Sequence, residues 1–100
     1  CVYVNELPTA TKLKQNYPNP FNPTTKITFI LNESDFVSLS IYDLQGRLIK
    51  TLASGHYNQG SYSSFWNAED KNGNKVSSGI YIYQLKTSNS TLSKKMVFIK

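Results

Sequence analysis

The amino-acid sequence predicts an all-β protein, an antiparallel sandwich of about six to eight short strands. Through most of the chain, apolar and polar residues alternate with a period of two, which is typical of half-buried strands. Seven Tyr, five Phe and many Thr, Ile and Val favour strands over helices. Ala, the best helix former, occurs only at positions 10, 53 and 68. No segment shows a convincing helical pattern.

The length of 100 residues is enough for one domain. Residues 1–12 show no clear period and contain Pro8, so we interpret them as a linker or the end of an upstream region. The folded domain is then expected over residues 13–100. Cys1 is the only cysteine and excludes an internal disulfide; without an initiating Met, we interpret it as a fragment boundary rather than a lipidated N-terminus. Any signal peptide would precede it.

The net charge of +5 comes from eleven basic and six acidic residues, and the basic residues are dispersed. A nucleic-acid binder usually clusters its bases and uses Arg, whereas Arg47 is the only arginine here. We therefore expect no nucleic-acid partner. A solvated lysine-rich surface is the favoured interpretation, and attraction to an anionic partner such as a bacterial outer surface is the alternative.

The first half of the domain begins with a possible short strand at residues 12–15 and a segment with prolines at 18, 20 and 23. Such spacing excludes a helix or a central strand and predicts a stiff, extended edge loop, with Tyr17 and Phe21 as anchors in the core. Two alternating strands follow, with Ile27, Phe29, Leu31, Val37, Leu39 and Ile41 on their apolar faces. Gly46 suits a hairpin turn, which makes a strand more plausible than a helical turn over residues 47–52. Residues 53–61 are predicted to be a connecting loop.

The second half alternates again over residues 62–68 and turns at 70–74, where Asn72-Gly73 is a strong hairpin signal. Residues 79–85 are apolar on both faces, as expected of a central strand. The last strand runs from residue 92 to 99 and could lie at a sheet edge, with lysines as guards against pairing or as part of a docking strand. We expect six residues to be largely buried: Phe29, Leu39, Ile41, Trp66, Tyr83 and Val97.

The sequence offers no catalytic or metal-binding constellation. His56 is the only histidine, and no serine lies in a Gly-x-Ser-x-Gly motif. Glu69 and Asp70 are adjacent, which on a strand directs them to opposite faces. The segment from Asp70 has Gly in its fourth position and Tyr81 in its twelfth, unlike a helix–loop–helix calcium site. We therefore predict no enzyme activity, metal or cofactor.

Trp66 allows two interpretations. With seven tyrosines in the chain, it could form a sugar-stacking platform like those of carbohydrate-binding modules. A buried Trp is also ordinary in the core of a sandwich. The core interpretation is favoured.

An ordered set of motifs extends through the chain: residues 15–25 (QNYPNPFNPTT), 41–47 (IYDLQGR), 66–70 (WNAED) with Gly73 and Val76, 78–85 (SGIYIYQL) and 94–100 (KKMVFIK). In this order and spacing they resemble the type A C-terminal sorting domain of the type IX secretion system of Bacteroidetes and related bacteria. The resemblance covers about residues 13–100.

The resemblance implies an immunoglobulin-like antiparallel sandwich of about seven strands, non-catalytic, monomeric and without cofactors. It implies a secreted or cell-surface protein of a Gram-negative bacterium, in which a cargo domain precedes the sorting domain in the same polypeptide. The cargo would pass through the periplasm to the outer-membrane translocon and to sortase-like components. The domain could then be cut off, with the linker around residues 5–11 as the only candidate, or exchanged for attachment to anionic lipopolysaccharide.

Carried over residue by residue, the family's signal falls on the last strands. Translocon recognition is expected at Gly79, Tyr81, Tyr83, Leu85, Lys94, Lys95, Met96, Val97, Phe98, Ile99 and Lys100. Motif residues with a structural role are Asn19, Pro20, Phe21, Asn22, Pro23, Asp43, Gly46, Trp66, Asp70 and Gly73.

Two alternatives remain open at this stage. A structural immunoglobulin-like module similar to that of flagellar hook-capping proteins shares the Tyr-Asp-x-x-Gly-Arg and Ser-Gly-x-Tyr-x-Tyr patterns, but it need not end in Lys-Lys-Met-Val-x-x-Lys. A carbohydrate-binding module of a secreted enzyme would be favoured by glycan binding through an exposed Trp66.

Overall fold

The computed structural model describes residues 11–21, 23–88 and 90–99, and within these ranges it contains seven strands and no helix. The expected linker (residues 1–12) and its suggested cleavage region therefore lie mostly outside the described residues, as do Cys1, Asn22 and Lys100. The strands are β1 (Lys12–Leu13), β2 (Thr25–Leu31), β3 (Asp35–Tyr42), β4 (Leu48–Tyr57), β5 (Gly60–Trp66), β6 (Gly79–Lys86) and β7 (Thr91–Phe98).

The strands form two antiparallel sheets that pack as a sandwich. One sheet has the order β1-β2-β5 and the other has the order β4-β3-β6-β7. The strand β6 pairs with β3 on one side and with β7 on the other, so it is central, as its two apolar faces indicate. The predicted immunoglobulin-like sandwich of about seven strands is thus confirmed.

The core lies between the sheets and is built by strict alternation along the strands. In β2, Ile27, Phe29 and Leu31 are almost completely buried, and their neighbours are partly or fully exposed. Phe21 packs between Trp66 and Phe98, with ring centroids 5.6 and 5.2 Å away. The aromatic side chains therefore hold the proline-rich segment against both sheets.

The proline-rich segment behaves as predicted at one anchor and differently at the other. Phe21 is buried, whereas 80% of Tyr17 is exposed, so the expectation that Tyr17 anchors the core is wrong. The backbone of Tyr17 exchanges hydrogen bonds with Lys26, which makes the two residues direct antiparallel partners. Partners in such a pair project to the same face of the sheet. Because Lys26 is exposed, Tyr17 faces solvent as well.

The predicted loop over residues 53–61 is also wrong. The strand β4 continues to Tyr57 and β5 begins at Gly60, which leaves only Asn58 and Gln59 between them. Ala53, Ser54 and Gly55 pair with β3 through their backbones and need no large side chains to do so. The register shifts opposite β3 lie between residues 48 and 53, and the pairing of residues 53–57 is regular. The apolar alternation that identified the other strands is missing over residues 53–56 because these positions carry no large apolar side chain.

Of the six residues expected in the core, five are buried and Val97 is only half-buried. Met96 and Phe98 face the core, and side chains on a strand alternate between its faces. Val97 therefore lies on the outer face of its sheet, opposite Ile80 on β6.

Candidate functional site

The acidic turns have structural roles. In the β3–β4 hairpin, Oδ1 of Asp43 accepts hydrogen bonds from the backbone N–H groups of Gln45 and Arg47, each at 2.9 Å, and Oδ2 accepts one from Nε of Arg47 at 2.8 Å. These bonds, first of all that from the Arg47 N–H, lower the pKa of Asp43. Gly46 has a φ of +85°, the left-handed conformation expected of it. Asp43 and Gly46 thus shape a tight hairpin.

The turn that begins at Asp70 is closed in a similar way. Its Oδ1 accepts hydrogen bonds from the backbone N–H groups of Asn72 and Asn74 at 2.9 and 3.0 Å, and Gly73 has a φ of +87°. In the described part of the chain, no three His, Cys, Asp or Glu side chains come close enough to hold a metal ion. Among the same residues, no helix is long and apolar enough to cross a membrane.

Trp66 is a core residue. Only 1% of its surface is exposed, and Nε1 donates a hydrogen bond of 2.9 Å to the backbone carbonyl of Glu69. Its ring also contacts that of Tyr81 edge-on, with centroids 5.5 Å apart. A sugar-stacking platform on Trp66 is excluded because the ring is covered on all sides.

The last two strands in the sequence, β6 and β7, which we call the terminal strands, present one set of side chains to the core and the opposite set to solvent. The inward set is almost completely buried and comprises Tyr81, Tyr83, Leu85, Met96 and Phe98. The outward set is formed by Ile80, Ile82, Lys95, Val97 and Ile99, which we call the outer patch. Ile80 is 42% exposed and Ile99 is 49% exposed. Among the described residues expected to be recognised at the end of the chain, only Lys94, Lys95, Val97 and Ile99 are reachable from solvent.

Cross-strand pairing brings the outer patch together. Ile80 lies opposite Val97, and Ile82 lies opposite Lys95. Gly79 begins β6 opposite Phe98. A shallow groove of about 450 Å³ adjoins the patch and is lined by Tyr42, Asp43, Leu44, Gly46, Ile82, Gln84 and Ser93. The hairpin tip at Leu44 forms one wall of this groove and exposes 63% of that side chain.

Lys94 and Lys95 do not share a face, although they are adjacent in the motif that ends the chain. Lys95 belongs to the outer patch and is exposed. Lys94 lies on the same side as Met96, is partly buried and lines a second cleft near Leu13 of β1. A ligand that contacts both ammonium groups must therefore reach around the edge of β7.

Tyr83 fastens the N-terminal segment to the terminal strands. Its buried hydroxyl donates a hydrogen bond of 2.7 Å to the carbonyl of Lys14 and accepts one of 2.8 Å from the N–H of Asn16. Burial raises the pKa of Tyr83 to about 12. The Asn16 side chain in turn donates to the carbonyl of Pro18 and to Oγ1 of Thr25, at 3.0 and 2.9 Å. These buried polar groups satisfy one another.

The segment from Gln15 to Phe21, which we call the Asn-Pro segment, covers part of the outer edge of β7. Oδ1 of Asn19 accepts a hydrogen bond from the N–H of Val97 at 2.9 Å, and Nε2 of Gln15 donates one to the carbonyl of Lys95 at 2.8 Å. Phe21 pairs in parallel with the end of β7: its N–H donates to the carbonyl of Val97, and its carbonyl accepts from the N–H of Ile99, both at 3.0 Å.

This contact joins two motifs that sequence analysis treated separately. Pro20 is held between Asn19 and Phe21, and the peptide bonds before Pro18 and Pro20 are cis. Pro23 is exposed and leads into β2. Sequence reasoning missed the roles of Gln15, Asn16 and Thr25, for which the only signal was their position beside the prolines. Gln15 and Asn16 bond to Lys95 and Tyr83, which lie 80 and 67 positions away along the chain, so only the fold brings these partners within reach.

Comparison with known proteins identifies a matching family. The model of the secretion system C-terminal sorting domain matches residues 15–100. No curated protein sequence matches the chain at a significant level.

Three solved structures show a similar fold. Dimeric latent PorU from Porphyromonas gingivalis superposes with a TM-score of 0.73 at 22% identity, over 98% of this chain and 10% of its own. PorZ, a surface component of the type IX secretion system of the same organism, has a TM-score of 0.57 at 23% identity, over 86% of this chain and 11% of its own. The hook-capping protein FlgD from Xanthomonas campestris has a TM-score of 0.58 at 22% identity, over 91% of this chain and 63% of its own.

Proposed function

Since this chain belongs to the secretion system C-terminal sorting domain family, we propose that it is a non-catalytic signal that directs a cargo protein through a type IX outer-membrane translocon. Membership implies a sorting role, contact with the secretion machinery and a secreted or cell-surface location. The observation that carries the proposal is the family match over residues 15–100, which takes in both terminal strands.

The cargo is proposed to precede residues 13–100 in the same polypeptide, with residues 1–12 as the connection. The similarity to PorU supports this arrangement, because it covers nearly all of this chain and only a tenth of PorU. The two sheets enclose a hydrophobic core of their own, so the domain can be carried as an independent unit.

We propose the outer patch as the surface that the translocon recognises. Tyr81, Tyr83 and Leu85 are buried and act through the fold, since they set the position of β6. Ile80 and Ile99 expose apolar surface next to the charged Lys95. A protein-binding patch usually has an apolar centre, which the partner buries, and polar or charged residues at its rim.

The proposed route passes through the periplasm of a Gram-negative bacterium before the outer membrane, where sortase-like components would release the domain or exchange it for surface attachment. A monomeric domain with a net charge of +5 would be drawn to anionic lipopolysaccharide at that surface. We propose no catalysis by this domain, because the Asp43 and Asp70 carboxylates are engaged by turn N–H groups.

The test is a fusion of residues 13–100 behind an inner-membrane export signal and a fluorescent carrier, in a host with a type IX system. We expect fluorescence in the medium or on the cell surface. Replacement of Ile80 and Ile99 by Ser should trap the carrier in the periplasm, because it removes exposed apolar contacts. Exposed changes of this kind usually alter stability by no more than about 0.5 kcal/mol.

The matched control is Phe65→Ser, which removes an apolar side chain that is 67% exposed on the other sheet. This variant should be exported normally. A cooperative thermal unfolding transition of each purified domain verifies that the variant is folded. If the intact fusion stays in the periplasm as fully as an untagged carrier, the sorting proposal is wrong and a structural module takes its place. If the fusion that carries Ser at positions 80 and 99 is exported as efficiently as the Phe65→Ser control, the recognition surface lies elsewhere.

A further inference from the structure

Within residues 11–21, 23–88 and 90–99, the outer edge of β7 is closed along one part of its length and open along the other. Val97 and Ile99 direct their N–H groups away from β6, where Asn19 and Phe21 accept them. In an antiparallel pair, alternate residues direct their backbone groups to the same side. Thr91, Ser93 and Lys95 therefore also point outward.

In the described part of the chain, the Lys95 carbonyl is the only group of this second part with a partner, the side chain of Gln15. Among the described residues, no hydrogen bond reaches the outward N–H and C=O groups of Thr91 and Ser93 or the N–H of Lys95. A row of such groups is a template for pairing with another strand. The Asn-Pro segment thus covers the end of β7 and leaves its beginning available.

A cleft of about 310 Å³ runs along the open part, between β1 and β7. Its lining is formed by Thr11, Lys12, Leu13, Leu92, Ser93 and Lys94. Leu13 and Leu92 give it an apolar floor that belongs to the edge of the core. An extended chain paired with Ser93 could place one side chain over this floor, since successive side chains on a strand point to opposite faces.

The charge around the open edge is positive. Lys12 and Lys94 line the cleft, and Lys95 lies on the outer face of the same strand. The two ion pairs among the described residues involve Arg47 and Lys75, so neither uses these lysines. Asp35, the first residue of β3, accepts hydrogen bonds from the Ser88 hydroxyl at 2.8 and 2.9 Å. An incoming carboxylate would meet lysines that have no acidic partner in the described structure.

We propose that the open edge of β7, from Thr91 to Lys95, is a strand-addition site for an extended, acidic segment of a protein partner. Backbone hydrogen bonds to Ser93 and Lys95 provide the pairing, and the lysines on both sides of the strand select for carboxylate side chains. A second copy of this chain fits less well, because it would bring two lysine-bearing edges together. The inference rests on the proposed function only in assigning the partner to the secretion machinery.

The test is a titration of the isotopically labelled chain with a synthetic peptide that alternates Val and Glu. We expect amide shifts centred on Ser93 and Lys95, with slower hydrogen exchange of these two N–H groups in the complex. The same peptide with Lys in place of Glu, and the Glu peptide with methylated backbone nitrogens on its pairing edge, should bind roughly tenfold more weakly or not at all.

Two variants separate the edge from the charge. Ser93→Pro removes an outward N–H without touching the ladder to β6, a position where an edge strand tolerates proline. Lys94→Glu with Lys95→Glu reverses the charge, and Lys26→Glu with Lys71→Glu is the matched control at exposed sites outside the cleft. Ser93→Pro and the Lys94/Lys95 double variant should each lower the affinity for the Glu peptide about tenfold or more. The control variant should change that affinity by less than about threefold.

Several outcomes would overturn the inference: no binding by the folded chain, equal binding of the methylated peptide, shifts centred on the outer patch, or self-association through β7. Because the titration needs no secretion, its result is separate from that of the carrier fusion. An exported carrier without peptide binding removes only the strand-addition site, and peptide binding with a retained carrier removes only the sorting function.

Discussion

The side chain of Asn19 accepts a hydrogen bond from the backbone N–H of Val97, at 2.9 Å and across 78 positions of the sequence. This bond lies beside the parallel pairing of Phe21 with the end of β7. The proline-rich motif near the start of the domain and the motif at its end are therefore one structural unit. The stability of the terminal strand depends on both.

Replacement of Asn19 by Ala should lower the free energy of unfolding by about 1 kcal/mol, because Val97 loses its acceptor. Asn19→Asp keeps an oxygen in the same position and should lose much less. Urea unfolding of the three proteins measures the difference. Equal losses for Ala and Asp would show that the hydrogen bond contributes nothing.

Removal of Phe21 should be far more damaging than removal of Tyr17. Phe21→Ala leaves a cavity between Trp66 and Phe98 and should lower the free energy of unfolding by about 3–5 kcal/mol. Tyr17 is 80% exposed, so Tyr17→Ala should stay within about 0.5 kcal/mol. Thermal or urea unfolding compares the two variants. Similar losses at both positions would restore Tyr17 as a core anchor.

The hydroxyl of Tyr83 should make stability depend on alkaline pH. Its pKa is about 12 in the folded state and near 10 in an exposed tyrosine, so the unfolded chain loses this proton first. The contribution of the group is complete below pH 10 and is lost as the pH rises toward 12. Urea unfolding at several pH values should show this decline.

Tyr83→Phe is the control for that titration. It leaves the Lys14 carbonyl and the Asn16 N–H without their partner and should lower the free energy of unfolding at neutral pH by about 1–3 kcal/mol. The difference between wild type and this variant should narrow as the pH rises above 10. A difference that is constant up to pH 11.5 would contradict the assignment.

The turn at Asp70 should be important for stability and indifferent to calcium. Asp70→Ala removes the acceptor of the Asn72 and Asn74 N–H groups and should cost about 1 kcal/mol, whereas Asp70→Asn keeps an oxygen there. Melting curves of all three proteins should be unchanged by millimolar calcium. A rise of several degrees in wild type alone would reveal a cation site that involves this carboxylate.

Where the period of two was unbroken, sequence analysis located the strands and their buried faces, as in Ile27, Phe29 and Leu31. Gly46 and Gly73 could be placed in turns because a positive φ favours glycine. The strand expected over residues 47–52 is part of β4, but its continuation through residues 53–57 could not be predicted because Ala53, Ser54 and Gly55 carry no apolar alternation. The exposure of Tyr17 could not be predicted either, since the face of a single bridged residue depends on the exposure of its partner Lys26.

The sequence by itself determined the class of fold, the central position of β6 and the order of motifs that identifies the family, because local alternation and turn chemistry are written in neighbouring residues. Only the tertiary structure decided that Asn19 closes the end of β7, that Lys94 and Lys95 face different ways and that no described residue covers the edge at Ser93. These facts depend on pairings between residues far apart in the chain, whose partners become neighbours only when the two sheets close on their common core.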